Sequence, residues 1–450
     1  MVKITFMGAG SSVFVRNIVG DCMCREALKD AVVALYDIDE KRLKESVTLL
    51  EALNRSINNN RMKFECFCGV ENRKKALAGA DFVVNAIQVG GYEPSTVIDF
   101  EIPKKYGLRQ TIADTLGIGG IFRALRTIPV MLDFARDMEE VCPKAWFLNY
   151  TNPMAALTGA MLRGSSINTV GLCHSVQVCA AALLASLGHG KHAELEKMPY
   201  KFKTAGINHQ GWLLELYDEN GVDIYPALRE EAKIKVPQMR QAKENKHYDI
   251  IRLEIMNKFG YYVTESSEHS AEYMPYWIKR NYPELIEEYN IPLDEYPRRC
   301  INQIKKWKAQ YEAIAENPIQ THTLSREYGS GIIEGMVLDK PYSFGGNVLN
   351  DNFITNLPRE AVVEVPCTAD ASGIHGEYVG KLPTQCAALN MTNINTTLLT
   401  VDAAFDHKRE TVYQAAMLDP HTAAELSIDD IVKMCDELFE AHGSMLPEYK

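Results

Sequence analysis

Residues 8–12 read Gly-Ala-Gly-Ser-Ser between a strand-like KITFMG at 3–8 and the apolar run AVVALYD at 31–37, and this order leaves the chain few folds to choose from. A strand, a glycine turn, a helical stretch over about 12–28 and a second buried strand make a βαβ unit, because parallel neighbours need a crossover between them. The alternation continues with helices over about 40–58, 72–79, 119–139 and 153–163 and strands near 62–67, 81–87, 145–149 and 168–172. It predicts an α/β fold whose N-terminal part, residues 1–190, is a Rossmann-like, doubly wound parallel sheet with helices on both faces.

Near 188–199 the polar stretch GHGKHAELEKMP ends the pattern. A second, α+β domain is expected over 191–450, and 450 residues suit two packed domains. It opens with strand-like KFKTAGINH and WLLELYD, turns helical and charged through about 315, and carries turns and short strands over 337–380. Helices near 380–418 and 423–442 close it, with a C-terminal helix packing back on the first domain. The whole matches a lactate/malate dehydrogenase-like architecture.

The formal charge of -11 argues against nucleic acid or an anionic membrane as partner, and no apolar run approaches the roughly 18 residues of a span. MVKITFMGAGSS shows no basic n-region or cleavage site, so a cytoplasmic location is expected. The eleven cysteines read as free thiols. Cys22-x-Cys24 and Cys66-x-Cys68 lack zinc-knuckle spacing and read as core or surface residues.

Gly8, Gly10 and Ser11 stand where backbone amides at a helix N-terminus face a pyrophosphate, although Val13 replaces the third glycine of the usual fingerprint. Asp37 ends the second strand 27 residues after Gly10, placed to accept ribose hydroxyls and to repel a 2′-phosphate. NAD is therefore the expected cofactor. Asn85 and Gln88, in NAIQVGG at 85–91, belong to a second loop at the carboxyl edge of the sheet, where the nicotinamide half should lie.

Cys173 and His174 follow the strand 168–172, and His209 comes 36 residues after Cys173 at the end of another strand-like segment. Cys173 with His209 makes a soft–borderline pair for a divalent ion, with positions left open for substrate; a buried cysteine and a structural histidine are the alternative. Asn149 and Asn152 in NYTNP could hold sugar hydroxyls, or Asn152 could cap the helix after Pro153. Asp114, in TIADTLGIGG, is either catalytic or a helix-N-terminal charge. The stretch YYVTESSEHSAEYMPYW at 261–277 gathers Glu265, Glu268, His269, Glu272 and Tyr273 without apolar helical periodicity and reads as a functional loop that supplies an acid–base group.

GAGSSVFVRNIVGD, DFVVNAIQVGGYEP, TIADTLGIGGIFRALRTIP, LNYTNPMAA, GLCHSVQ, AGINH and TESSEHSAEY together resemble glycoside hydrolase family 4, whose members depend on NAD and manganese, with the likeness strongest to its α-galactoside-cleaving branch. The resemblance implies that Cys173 and His209 hold Mn2+, that Asn152 contacts substrate and that Asp114 raises the basicity of the catalytic base. It places His174 where relatives acting on phosphorylated sugars carry an aspartate as proton donor, and leaves His269 and Tyr273 as candidates for the base. An arginine for a sugar phosphate is missing near Thr96, so the implied substrate is a small, unphosphorylated, melibiose-like α-galactoside.

The implied reaction oxidises C3, removes the C2 proton, eliminates the aglycone and adds water; the handling of the sugar is redox-neutral overall. A homodimer or homotetramer is implied as well. The rivals are an α-galacturonidase or α-glucosidase of the same family, a plain NAD-dependent 2-hydroxy-acid dehydrogenase, and an NAD-binding regulator without catalysis.

Overall fold

The computed structural model describes residues 1–11, 14–316 and 319–450; the expected start of the first helix falls partly on Ser12 and Val13, outside the described residues. In chain order, the first half runs β1 (Lys3–Met7), α1 (Phe14–Cys24), β2 (Val32–Asp37), α2 (Glu40–Asn58), β3 (Lys63–Cys68), α3 (Arg73–Leu77), β4 (Phe82–Asn85), α4 (Val97–Lys105), α5 (Gly117–Val141), β5 (Trp146–Asn149), α6 (Met154–Gly164), β6 (Thr169–Leu172) and α7 (Ser175–Ser186). Its six strands are parallel in the order β3-β2-β1-β4-β5-β6, the doubly wound arrangement that the alternation predicts. Both faces are buried: Phe82, Val84 and Leu148 enter one core while Val83 and Phe147 enter the other. Near-continuous apolar strands follow from that double burial. Local chemistry sets the ends of α2, where the Asp39 carboxylate accepts from the Arg42 amide and Asn59 closes the helix in the left-handed region at φ 51°.

The second half runs α8 (His192–Leu195), β7 (Lys201–Ile207), β8 (Gln210–Tyr217), α9 (Tyr225–Gln241), α10 (Ile250–Phe259), β9 (Tyr262–Val263), α11 (Ser267–Tyr273), α12 (Glu284–Glu288), α13 (Glu295–Glu316), α14 (Gly329–Leu338), β10 (Tyr342–Leu349), β11 (Val362–Asp370), β12 (Gly373–Gly376), α15 (Thr384–Asp406), α16 (Arg409–Leu418), α17 (Pro420–Glu425) and α18 (Ile428–His442). β10 lies antiparallel to β6, with Gly346 opposite Leu172, and β11, β7, β8 and β9 follow. The two halves are thus joined through one twelve-stranded sheet, β12 lying off its path beside β11.

Three expectations need correction. The 337–380 region contains an eight-residue and a nine-residue strand rather than short ones. The helix expected over 380–418 is broken by His407, which takes φ 53° between α15 and α16. The expected loop 261–277 contains β9 and α11 joined and followed by short irregular segments, and α11 lacks an apolar stripe because its buried sides carry His269, Glu272 and Tyr273. Among the helices that escape the periodicity argument, two do so for related reasons. α7 is apolar nearly all round, and the glycines of GSGIIEGMVL weaken the helical signal of α14.

The last elements return to the first half. Phe439 of α18 packs edge-on against Phe122 of α5 with ring centroids 5.1 Å apart. Below this contact the buried Asp99 carboxylate accepts from Arg126 at 2.6 Å and from His442 at 3.0 Å. Ser95 Oγ lies 3.1 Å from Met445 Sδ, and His421 donates to the Arg109 carbonyl at 2.8 Å. These contacts brace the loops after β4 and before α5 from behind. No helix among the described residues is long and apolar enough to cross a membrane.

Candidate active site

The turn after β1 is a tight glycine turn locked onto β2. Gly8 takes φ 83°, and its amide and that of Ala9 both donate to the Tyr36 carbonyl, at 3.0 and 2.9 Å. A Cβ on Gly8 would stand 2.8 Å from the Ala86 carbonyl oxygen, so the position admits only glycine without a shift of backbone. Gly10 donates to Asp37 Oδ2 at 2.6 Å, and Ser11 Oγ accepts from the Phe14 amide at 3.4 Å, at the start of α1. Asp37, half-buried, therefore fixes the turn as well as facing the place where a ribose is expected. Gln88 is exposed and donates to Thr96 Oγ1 at 3.3 Å.

Two asparagines assigned to ligands have another task. Parallel pairing sets Asn85 of β4 directly opposite Asn149 of β5, and both are fully buried. Asn85 Nδ2 donates to Asn149 Oδ1 at 3.0 Å and to Thr151 Oγ1 at 3.1 Å, while Asn149 Nδ2 donates to the Thr151 carbonyl at 3.1 Å. The pair ties the strand ends together beneath the loops, with Asn85 Oδ1 left without a hydrogen-bond partner among the described residues.

At the same edge of the sheet, three segments converge. Cys173 follows β6; His209 sits in the two-residue turn between β7 and β8 with φ 61°; Glu265 follows β9. Ligand atoms of Cys173, His209 and Glu265 all lie within 4.8 Å of one another. His209 directs Nε2 toward Glu265 Oε2 at 3.4 Å and Nδ1 toward the Tyr273 hydroxyl at 3.1 Å. Such a hydrogen bond on the far nitrogen is how metal-ligating imidazoles are held in one tautomer. A thiol, an imidazole and a carboxylate fit a divalent transition-metal ion. Burial pushes the Cys173 thiol well up, and the carboxylates of Glu364 and Glu265 push it further, so a bound cation is what would make it a thiolate. His174 is exposed at the start of α7, where desolvation of part of its ring lowers its pKa.

Beside this cluster, ligand atoms of Asp114, His209 and His269 also lie within 4.8 Å of one another. His269 Nδ1 is held by Ser266 Oγ at 2.6 Å, and its ring centroid is 4.9 Å from that of His209. Burial lowers the His269 pKa while the Glu265 and Asp114 carboxylates oppose the shift; burial raises the Tyr273 phenol well above its usual value, and Asp114 adds to it. Asp114 does not stabilise the start of α5. Its carboxylate accepts from Thr115 Oγ1 at 2.9 Å and from Asn152 Nδ2 at 3.2 Å, and Asn152 accordingly does not cap α6. Asn152 Oδ1 is buried without a hydrogen-bond partner among the described residues.

With the geometry in place, comparison with known proteins is decisive. The family model described as family 4 glycosyl hydrolase matches residues 3–189, and that of its C-terminal domain matches residues 204–422. The chain belongs to glycosyl hydrolase family 4. It is 60% identical over 450 residues to an alpha-galactosidase of Bacillus subtilis (strain 168), covering 100% of both. With an alpha-galactosidase of Rhizobium meliloti (strain 1021) it shares 32% identity over 464 residues, covering 99% of this chain and 89% of that protein. A solved 6-phospho-alpha-glucosidase from gut microorganisms, in complex with NAD and Mn2+, has the same fold, with a TM-score of 0.81 at 19% identity and 100% of both chains covered.

Within this family 4 site, the sequence did not point to Glu364 or Arg123 as builders, and it gathered Glu272 in the 261–277 stretch as a possible acid–base group rather than as a support for the 111–113 loop. The buried Glu272 carboxylate accepts from the amides of Thr111 at 2.8 Å, Ile112 at 3.2 Å and Ala113 at 2.7 Å, holding the loop in which Ala113 takes φ 49° and Asp114 points at Asn152. Burial pushes its carboxyl up to about 7 against those three donors. Glu364, equally buried, is pushed up to about 7 for the same reason. Arg123 of α5 donates to the Asn152 carbonyl and to the Tyr296 hydroxyl, both at 3.1 Å. The one available signal was the spacing of TESSEHSAEY: Glu268 and Glu272 are one helical turn apart, as are His269 and Tyr273.

Proposed function

We propose that this family 4 protein hydrolyses small, unphosphorylated α-galactosides with NAD and a divalent ion, Mn2+ first among them, as cofactors. The observation that carries this reading is the meeting of Cys173, His209 and Glu265 with His269 and Asp114 at the edge that also holds the Gly8 turn. Identity of 60% with an alpha-galactosidase supports the choice of sugar, and the complex of a relative with NAD and Mn2+ supports the cofactors.

Gly8, Gly10, Ser11 and Asp37 would hold NAD; Cys173, His209 and Glu265 would hold the metal. When bound, NAD supplies an acceptor that takes and returns the C3 hydride, acidifying the C2 proton meanwhile, and the divalent ion supplies Lewis acidity. His269 is the base that removes the C2 proton. Its Nδ1 is held by Ser266 and its other nitrogen has no protein partner among the described hydrogen bonds, whereas the Tyr273 hydroxyl is engaged by His209. Asp114, close to His269, favours the imidazolium that results. Asn152, tied to Asp114, orients the sugar through its unpartnered Oδ1. His174 donates to the glycosidic oxygen as it leaves C1.

A substrate panel tests the reading. Aryl α-galactosides are expected to be cleaved about 10²-fold or more faster than α-glucosides, α-galacturonides and all 6-phosphates, the discrimination that a few well-placed polar contacts supply. Preference for a phosphorylated or uronic substrate would sink it. The protein is also expected to work in the cytoplasm as a homodimer or homotetramer, and light scattering at assay concentration that returns a monomer would contradict the assembly.

A further inference from the structure

Behind Cys173 and His209 the sheet carries a row that no mechanism step above uses. Gly171 of β6 pairs with Asn347 of β10, Asn347 with Glu364 of β11, Glu364 with Gly206 of β7, and Gly206 with Gly211 of β8. Cys173 is two residues beyond one end of this row, and the His209 turn joins the two strands at the other. Glu364 is only 2% exposed. Its Oε1 accepts from Asn347 Nδ2 at 3.0 Å and from Asn208 Nδ2 at 3.3 Å, Asn208 being the residue next to His209. Its Oε2 has no hydrogen-bond partner among the described residues, and the cationic side chain that acts on it electrostatically is His209, itself one of the proposed metal ligands. Gly211 lies close enough across the sheet that a Cβ there would be in ordinary contact with Oε2 at 3.5 Å.

Served only by neutral amides, a buried carboxyl is driven toward its neutral form, and its ionised form is favoured where a nearby positive charge compensates it. A divalent ion held by Cys173 and His209 would add a second positive charge on the side from which His209 already acts on Glu364. We propose that Glu364 is the electrostatic backing of the metal site: it contacts no ion itself, but supplies the negative charge that draws a divalent cation to Cys173 and His209. This rests on the metal reading given above. Glu364 is a positioning residue in the further sense that it holds Asn208, and the two roles separate under substitution. In Glu364→Gln the amide oxygen still accepts from Asn347 and Asn208, while the charge is gone.

The experiment is a titration of metal-stripped, full-length protein with Mn2+, reading the free ion by electron paramagnetic resonance, for wild type, E364Q, E364M and C173S. E364Q is expected to bind Mn2+ about 10- to 100-fold more weakly, the loss that follows removal of an outer-shell partner. Its NAD affinity should be unchanged. Metal-free E364Q should melt no lower than metal-free wild type, and the rise in Tm on adding Mn2+ should shrink. A folded E364Q or E364M with wild-type Mn2+ affinity would overturn the proposal; so would failure of both variants to fold, which would mark Glu364 as a purely structural residue. Wild type that binds no Mn2+, or C173S that binds it as wild type does, would instead overturn the metal reading itself.

Discussion

Metal-stripped protein carrying Cys173→Ser or His209→Asn is expected to lose tight Mn2+ binding and to turn over α-galactosides at least about 10³-fold more slowly, the scale seen when one preorganised source of charge stabilisation is removed. Asparagine is the informative replacement at 209 because the residue sits at φ 61°, a conformation that asparagine tolerates and alanine resists. The fold should therefore survive. NAD affinity should survive too, since the Gly8–Asp37 turn is formed by other segments. Calorimetry with NAD and with Mn2+ separates the two losses. Full activity of either variant in chelator would remove the metal from the reaction altogether.

The second large effect concerns the base. Galactose released in D2O is expected to carry deuterium at C2, because a proton taken by an imidazole is exchanged with solvent before it returns. His269→Gln should lower kcat by about 10²- to 10⁴-fold and abolish C2 exchange, while NAD and Mn2+ still bind. Tyr273→Phe should cost less in exchange than in metal affinity, because the hydroxyl that it removes holds His209. NAD should be needed only in catalytic amount, with no net NADH. Product free of C2 deuterium, combined with normal rates on C2- and C3-deuterated substrates, would replace elimination with direct displacement.

How legible these residues were depends on how local their constraint is. The turn at 8–10 could be read because its requirement is set by one positive φ and one close approach, both properties of glycine itself. The parallel pairing of the first six strands followed from alternation, since a parallel pair demands its crossover. Cys173 and His209 stood out as rare residue types at strand ends. The roles of the carboxylates did not: among 59 acidic residues nothing local separates Glu364 from a solvated side chain, and the cluster at 261–277 singled out Glu272 without showing what it holds. Their meaning comes from strand register and from the seating of α11 against the 111–113 loop, which are tertiary facts. Asn85 and Asn149 show the opposite case, since strand-end asparagines that look free in a sequence are placed side by side by parallel pairing, where Asn85 donates to Asn149.

The brace formed by the last elements has a consequence for synthesis. Asp99 meets His442 across 343 positions of the chain, Ser95 meets Met445 across 350, and Arg109 meets His421 across 312. At roughly 5–20 residues per second, a translating ribosome leaves the loops after β4 and before α5 without these partners for some tens of seconds. The parallel sheet can pair in that interval, but the edge that gathers Asp114 and its neighbours lacks the contacts that steady it. Completion of the catalytic edge is thus timed by the emergence of residues 421–445 rather than by the first hundred residues. Slow codons or a bulky fusion placed near those late residues would disturb the active site more than the nucleotide-binding turn.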